Sequence, residues 1–295
     1  MYHAVTELSK KLLAQGLDDD SWHWDWTTLG TLGDERGKII GAKVVAKSEG
    51  VWAADPIVSA IEQLSAQYDL PIRIRTLVKA GQQLKPGTVV CEWSGPAGMV
   101  LALERPFLNL ASYVCGVATS TRKLVDAVGA VKTSADRPRV TSTRKTLPGY
   151  RDLAVHGVLS GGGYAHRVSL SGGVLIKENH IAAAGGIAPA VKGARGIAPH
   201  GLKIETEVRS IDELKQAIDA SADGVLLDNF SPEMVDEALA LVKKMGKPLF
   251  VEVSGGVNEQ NIAGYVKSGV HVISSGSLTH TVKAVDLSLL VNGLG

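Results

Sequence analysis

Cations, carboxylates and glycines fall at particular places in the second half of this chain. They are Arg144 and Lys145, Lys177, Glu207, Asp228, then the loops Ser254, Gly255, Gly256 and Ser275, Gly276, Ser277. Guanidinium and ammonium groups hold anions, paired carboxylates hold hydroxyls or a hard divalent cation, and glycine turns offer bare backbone N–H groups to phosphate. Such a set suits an anionic, phosphorylated substrate with a metal. Singly, each charged residue reads equally as a rim salt bridge and each Gly-Ser loop as a bare turn. Convergence on one rim is what turns the set toward function.

That convergence requires elements to deliver it. Six apolar runs of strand type end at these residues: RVTSTRK (139–145), GVLIK (173–177), GLKIETE (201–207), GVLLD (224–228), PLFVEVSGG (248–256) and HVISSG (271–276). Helical stretches separate the later runs. Ser210 with Glu213 opens IDELKQAIDASA, Ser231 and Pro232 open SPEMVDEALALVKKMG with Gly246 as its stop, and Asn258 is expected to open a helix NEQNIAGYVKSG ending at Gly269. The alternation of strand and helix predicts an α/β fold, an incomplete TIM-like parallel β/α barrel whose chemistry gathers at the carboxyl ends of the strands. In LKIETE, Glu205 and Glu207 are two apart and so face the same side of a strand. Buried there, they need cations, and Arg144, Lys145 and Lys177 are the natural partners.

The first part of the chain reads differently. Residues 3–16 have helical periodicity, the segment 38–94 contains short strand-like pieces suited to a modest antiparallel sheet, and a long helical region from 95 is expected to break near residues 114–116. This gives a smaller N-terminal α+β sandwich domain at 1–115, with the tail 284–295 packed on it, and a catalytic barrel at 116–283. The tryptophans of WHWDWTT read as core or interface anchors.

With 295 residues, 45% hydrophobic and 21% charged, the chain has the composition of a soluble globular protein, and a net charge of +1 offers no global field for nucleic acid or membrane. Two cysteines, Cys91 and Cys115, fit a reducing compartment better than a disulfide framework. Lacking a secretory pattern or an apolar run of membrane-spanning length, the chain is expected in the cytoplasm. The eight histidines contain no paired-histidine zinc motif.

The segments ERPFLNLASYVCGVATSTRK, TRKTLPGYR, GGGYAHR, LIKENHI, IETEV, LLDNF, EVSGGV and GVHVISSGSLTH, in that order, resemble those of quinolinate phosphoribosyltransferases, also called carboxylating nicotinate-nucleotide pyrophosphorylases. The resemblance runs from about Gly41 to Leu290 and implies phosphoribosyl transfer from phosphoribosyl pyrophosphate to quinolinate, with loss of carbon dioxide, giving nicotinate mononucleotide for NAD synthesis. It implies a quinolinate pocket of Arg144, Lys145, His166, Arg167 and Lys177, with Arg105 entering in trans from a second copy in a homodimer or higher oligomer. It implies that Glu207 and Asp228 hold the ribose and Mg²⁺, that Lys145, Glu207 and Asp228 form the catalytic set, and that the 5′-phosphate rests on Ser254, Gly255 and Gly256 and on Ser275, Gly276 and Ser277. Asn179 and His180 are expected as supports. The chain departs from the family at Val155 and His156, where a lysine is common, at the Cys115-Gly116 pair, and in WHWDWTT. Alternatives are a molybdenum-transport-associated relative with another substrate, a Schiff-base aldolase using Lys177, and a non-catalytic binding barrel. LIKENH favours the quinolinate enzyme over the first, and Glu207 with Asp228 disfavours the last.

Overall fold

The computed structural model describes residues 2–131 and 137–292. Strands β1 (Ile39–Ala46), β2 (Gly50–Val51), β3 (Arg73–Thr76), β4 (Gln83–Leu84) and β5 (Val89–Pro96) precede one long helix, Ala97–Ala130. After it come β6 (Arg139–Thr141), β7 (Val174–Ile176), β8 (Ile204–Val208), β9 (Gly224–Asp228), β10 (Phe250–Ser254) and β11 (Val272–Ser274), and β12 (Leu287–Val291) closes the described chain.

Two compact units share these elements. The first comprises Met1–Arg122, Leu147–Gly162 and Val282–Gly295, the second Lys123–Thr146 and Gly163–Thr281. The division departs from a single break at 115/116. The helix Arg151–Ser160 joins the first unit because glycines let it approach the long helix closely. A Cβ on Gly157 would lie 2.9 Å from the Val114 carbonyl oxygen, and one on Gly161 2.5 Å from that of Ala118. Nor does the long helix break near 114–116: Gly116 continues it, and its missing side chain admits the Lys283 carbonyl oxygen, 2.5 Å from where a Cβ would stand.

In the first unit an antiparallel sheet runs in the order β12-β1-β5-β3, so the C-terminal strand pairs with β1 as expected of the tail; of 284–295, residues 293–295 lie outside the described residues. The segment between the strand-like pieces forms a helix, Asp55–Gln67, whose Ile57, Ile61 and Leu64 are buried at helical spacing. Trp52 and Trp93 fill the core, and Trp93 meets Phe107 edge-on at 5.0 Å. The Trp-rich segment does not. Trp22 packs partly against the core, but Trp24 and Trp26 are 66% and 74% exposed, on either side of Asp25, which caps the helix Trp26–Leu32 through the N–H groups of Thr27 and Thr28.

The second unit contains a six-stranded parallel sheet in the order β6-β11-β10-β9-β8-β7. Its first strand lies beside its last, the arrangement of a sheet rolling toward closure, while β6 and β7 remain unpaired to each other among the described residues. The result is an incomplete barrel. Ser210 caps the helix Ile211–Asp219 through the N–H of Glu213, Ser231 caps Pro232–Met245 through that of Met234, and Gly246 ends the latter at φ 65°. The expected helix 258–269 does not form. Asn258 and Asn261 exchange side-chain and backbone hydrogen bonds in a turn, with the Asn258 side chain accepting from the Gln260 N–H, so only Ile262–Tyr265 makes a short 3-10 turn.

Candidate active site

Parallel pairing sets the heights of the side chains. Glu207 lies opposite Leu226, and Asp228 opposite Ser254, so residues two apart on neighbouring strands rise in layers through the barrel. A cavity of about 740 Å³ opens at the carboxyl ends, lined by Arg144, Lys145, His166, Arg167, Lys177, Glu207, Asp228, Asn229, Glu252 and the loops at 254–258 and 274–277. Of the residues singled out in the sequence, all those of the second unit that were assigned to substrate reach this one cavity. Arg105 is an exposed residue of the long helix in the first unit.

On one side sit the cations. The Lys177 ammonium lies 3.1 Å from Glu207 Oε2, with the lysine side chain 47% and the glutamate 9% exposed. His180 positions this lysine: its Nδ1 accepts the Lys177 backbone N–H at 2.9 Å, whereas Asn179 is simply exposed. Arg167 Nη1 donates to the Gly173 carbonyl at 2.9 Å, and burial, followed by the nearby Arg144 charge, pulls its pKa below the usual arginine range. The Nε of Arg144 is buried without a partner. A cluster of guanidinium and ammonium groups with unspent donors binds a planar dicarboxylate well.

On the other side, acids and glycines take over. Asn229 Nδ2 donates to Asp228 Oδ2 at 2.9 Å. Gly255 has φ 93°, and a Cβ there would fall 2.3 Å from Asn229 Oδ1, so only glycine fits this turn. The Ser274 and Ser254 hydroxyls meet at 2.9 Å, Ser275 donates to the Val257 carbonyl at 2.7 Å, and Thr279 donates to the Lys145 carbonyl at 2.7 Å. The two loops and the cationic end of β6 are thus tied together. Glu207 and Asp228 offer hard carboxylate oxygens on adjacent strands, the donor type Mg²⁺ takes when it keeps water and substrate phosphate as its other ligands.

Level with Glu207, since both lie opposite Leu226, is a group the strand-end reading passed over. Glu252 of β10 is 1% exposed, and its Oε2 accepts from His166 Nε2 at 3.0 Å. Ligand atoms of His166, Glu205 and Glu252 all lie within 4.8 Å of one another. Burial, with the Glu252 charge next, pushes the Glu205 carboxyl up to about 8, so at neutral pH it keeps its proton. For His166, burial opposes the charged ring but the Glu252 hydrogen bond and charge outweigh it and raise its pKa. Against that, the Arg167 backbone N–H donates to His166 Nδ1 at 2.8 Å. A nitrogen that accepts this bond carries no proton, so the ring in this geometry is the neutral Nε2–H tautomer. The signal for Glu252 was available: in VEVSGG a charged residue sits between Val251 and Val253, which are themselves buried, so it must point into the barrel.

Comparisons with known proteins agree with this geometry. Residues 25–115 match the family described as quinolinate phosphoribosyl transferase, N-terminal domain, and residues 117–290 its C-terminal domain. A relative from Bacillus subtilis, described as a probable nicotinate-nucleotide pyrophosphorylase [carboxylating], is 37% identical over 95% of this chain and 92% of its own. The human nicotinate-nucleotide pyrophosphorylase [carboxylating] is 39% identical over 84% of this chain and 81% of its own. The solved nicotinate-nucleotide pyrophosphorylase of Francisella tularensis superposes with a TM-score of 0.86 at 34% identity, covering 97% of both chains. With both family domains matched in order and the cations, acid pair and glycine loops meeting in one cavity, the chain belongs to the quinolinate phosphoribosyltransferase family.

Proposed function

We propose that the chain is a decarboxylating pentosyltransferase, moving the phosphoribosyl group of phosphoribosyl pyrophosphate to quinolinate and releasing nicotinate mononucleotide, carbon dioxide and pyrophosphate for NAD biosynthesis. The observation that carries this is the division of one cavity, with Arg144, Lys145, Arg167 and Lys177 on one side and Glu207, Asp228 and two glycine loops on the other. Two adjacent ring carboxylates match the first group. A ribose, its hydroxyls and its 5′-phosphate match the second.

The chemistry follows from where charge develops. Departure of pyrophosphate builds positive charge on the ribose, which Glu207 and Asp228 stabilise, and negative charge on the leaving group, which cations stabilise. Glu207 and Asp228 are the residues that would hold Mg²⁺, which would supply positive charge toward the leaving pyrophosphate. Attack by the pyridine nitrogen on the ribose carbon leaves a cationic ring; the bond to the adjacent carboxylate then breaks, carbon dioxide departs, and the electron pair left on the ring carbon takes a proton from water. The Arg144, Lys145, Arg167 and Lys177 side chains hold the ring carboxylates in register. A homodimer in the cytoplasm, with Arg105 completing the quinolinate pocket of its neighbour, is part of the same reading. Cys91 and Cys115, both free and buried, fit a compartment in which no disulfide framework is needed. Among the described residues no helix is long and apolar enough to cross a membrane.

The test is direct: purified protein with quinolinate and phosphoribosyl pyrophosphate, with and without Mg²⁺, is expected to yield nicotinate mononucleotide only with the metal. Turnover of nicotinate in place of quinolinate would overturn the dicarboxylate assignment. Mixing Arg105→Ala with Lys145→Ala protein is expected to restore part of the activity. Heterodimers that form without regaining any would exclude a shared site.

A further inference from the structure

Glu252 has no part in the scheme above, yet it is the most deeply buried charged side chain of the cavity, 1% exposed in the middle of β10. A carboxylate in that position costs stability unless something nearby uses it. What it touches is His166, whose Nε2–H it accepts at 3.0 Å, and His166 in turn accepts the Arg167 backbone N–H on Nδ1 at 2.8 Å. Arg167 then reaches the Gly173 carbonyl with Nη1 at 2.9 Å and lines the cavity. The chain of contacts therefore runs from a buried acid on one strand, through a ring, to the backbone of a substrate-binding cation on the connection between β6 and β7.

Two other uses of this group are disfavoured by the same bonds. The proximity of His166, Glu205 and Glu252 resembles a metal site. However, with Nδ1 occupied as an acceptor, the nitrogen facing the two carboxylates carries the proton and has no lone pair for a cation. For the same reason His166 is not set to take a proton from substrate through Nε2. Its remaining use is as a strut.

We propose that Glu252 is a positioning residue for the dicarboxylate half of the site, acting through His166: it fixes the ring in the Nε2–H tautomer, and the bare Nδ1 fixes the Arg167 amide. This rests on the reading of that half as the quinolinate pocket. It makes a selective demand. Loss of the acceptor must loosen the ring and with it Arg167, while Glu207, Asp228 and the glycine loops keep their own hydrogen bonds.

The experiment compares E252L, E252Q and wild type by initial-rate kinetics in both substrates, with circular dichroism, and by nitrogen-15 NMR of the histidine rings. E252L removes the acceptor at similar volume; E252Q keeps an amide oxygen that accepts the same N–H. For E252L the KM for quinolinate is expected to rise roughly tenfold or more, the size of one charge-assisted hydrogen bond, with the KM for phosphoribosyl pyrophosphate within about twofold. E252Q is expected to recover quinolinate KM to within about threefold of wild type, since a neutral acceptor makes a weaker bond. The His166 ring should show protonated Nε2 in wild type and E252Q, and a mixture of tautomers in E252L. Equal rises in both KM values, no recovery in E252Q, or a wild-type ring protonated on Nδ1 alone would overturn the proposal. Should E252L fail to melt cooperatively, E252D, one methylene shorter, is expected to show the same selective rise, and an unselective one counts against the proposal. A wild type that makes no nicotinate mononucleotide defeats the underlying reading instead, and the NMR result stands apart from either.

Discussion

Replacing Lys177 with alanine separates the two halves of the cavity, because this lysine stands on the boundary between them. Its ammonium is 3.1 Å from Glu207 Oε2. At that distance and an effective dielectric of about 20, the bare attraction is about 5 kcal/mol. The lysine side chain is 47% exposed, so hydration returns most of this on separation, and a net coupling of about 1–2 kcal/mol remains. A charge-assisted hydrogen bond to a substrate carboxylate contributes roughly 1.5–3 kcal/mol, part of which is spent in drawing Lys177 away from Glu207. Quinolinate binding to Lys177→Ala should therefore weaken by about 1–2 kcal/mol, or roughly five- to thirtyfold. The phosphoribosyl donor should bind unchanged or more tightly, since Glu207 loses a competitor for the ribose hydroxyls. Glu207→Ala should give the opposite pattern. Titration calorimetry with each substrate alone measures both. If Lys177→Ala weakens both substrates alike, or leaves quinolinate within twofold of wild type, the division of the cavity is wrong.

Lys145→Ala and Arg167→Ala should each reduce quinolinate binding and turnover by roughly 2 kcal/mol or more, since each leaves a substrate carboxylate without its cation; unchanged saturation kinetics in both would remove them from the pocket. Glu205→Gln should stabilise the fold increasingly as pH rises. The carboxyl goes from 4.5 to about 8 on folding, so the native state holds a proton that the unfolded chain has lost, and wild-type stability falls between those values by up to about 1.4 kcal/mol per pH unit. Denaturant melts at pH 5 and pH 8 should show wild type and variant diverging; parallel curves would refute the protonated state. Gly161→Ala, whose Cβ would sit 2.5 Å from the Ala118 carbonyl oxygen, should cost about 2–4 kcal/mol in the same melts, and a loss under about 0.5 kcal/mol would mean that the helices part freely.

What could be read from the sequence was whatever is local. The strand runs, the Ser210 and Ser231 caps and the stop at Gly246 depend on neighbours a few residues away, and they stand where the pattern put them. Charged residues at strand ends followed, since a parallel sheet sends all its carboxyl ends to one rim. The errors arose where a partner far along the chain decides. Gly116 reads as a helix break until the Lys283 carbonyl is seen to occupy its empty side, and the helix expected at 258–269 gave way to asparagine turns beside the phosphate-type loops. Trp24 and Trp26 read as core or interface anchors, and they are not in the core of this chain, where they lie exposed beside the Asp25 cap. Glu252 was legible in VEVSGG as an acid on the inner face of an apolar strand. Its partner, His166, is 86 residues away and could not be paired with it by spacing.

No ladder joins β6 to β7 among the described residues, and a single bridge from Thr141 to Tyr164 covers the free edge of β6, so the cations of the cavity stand where the barrel's closure is thinnest. Arg144 and Lys145 follow β6, Lys177 follows β7, and His166 with Arg167 belongs to the chain that passes between them. In a fully closed barrel, backbone hydrogen bonds would set the spacing of these groups regardless of ligand. Here one backbone bond, from the Tyr164 N–H to the Val140 carbonyl, ties the β6 side, and a dicarboxylate reaching both Arg144 and Lys177 would add a second tie between the two strand ends.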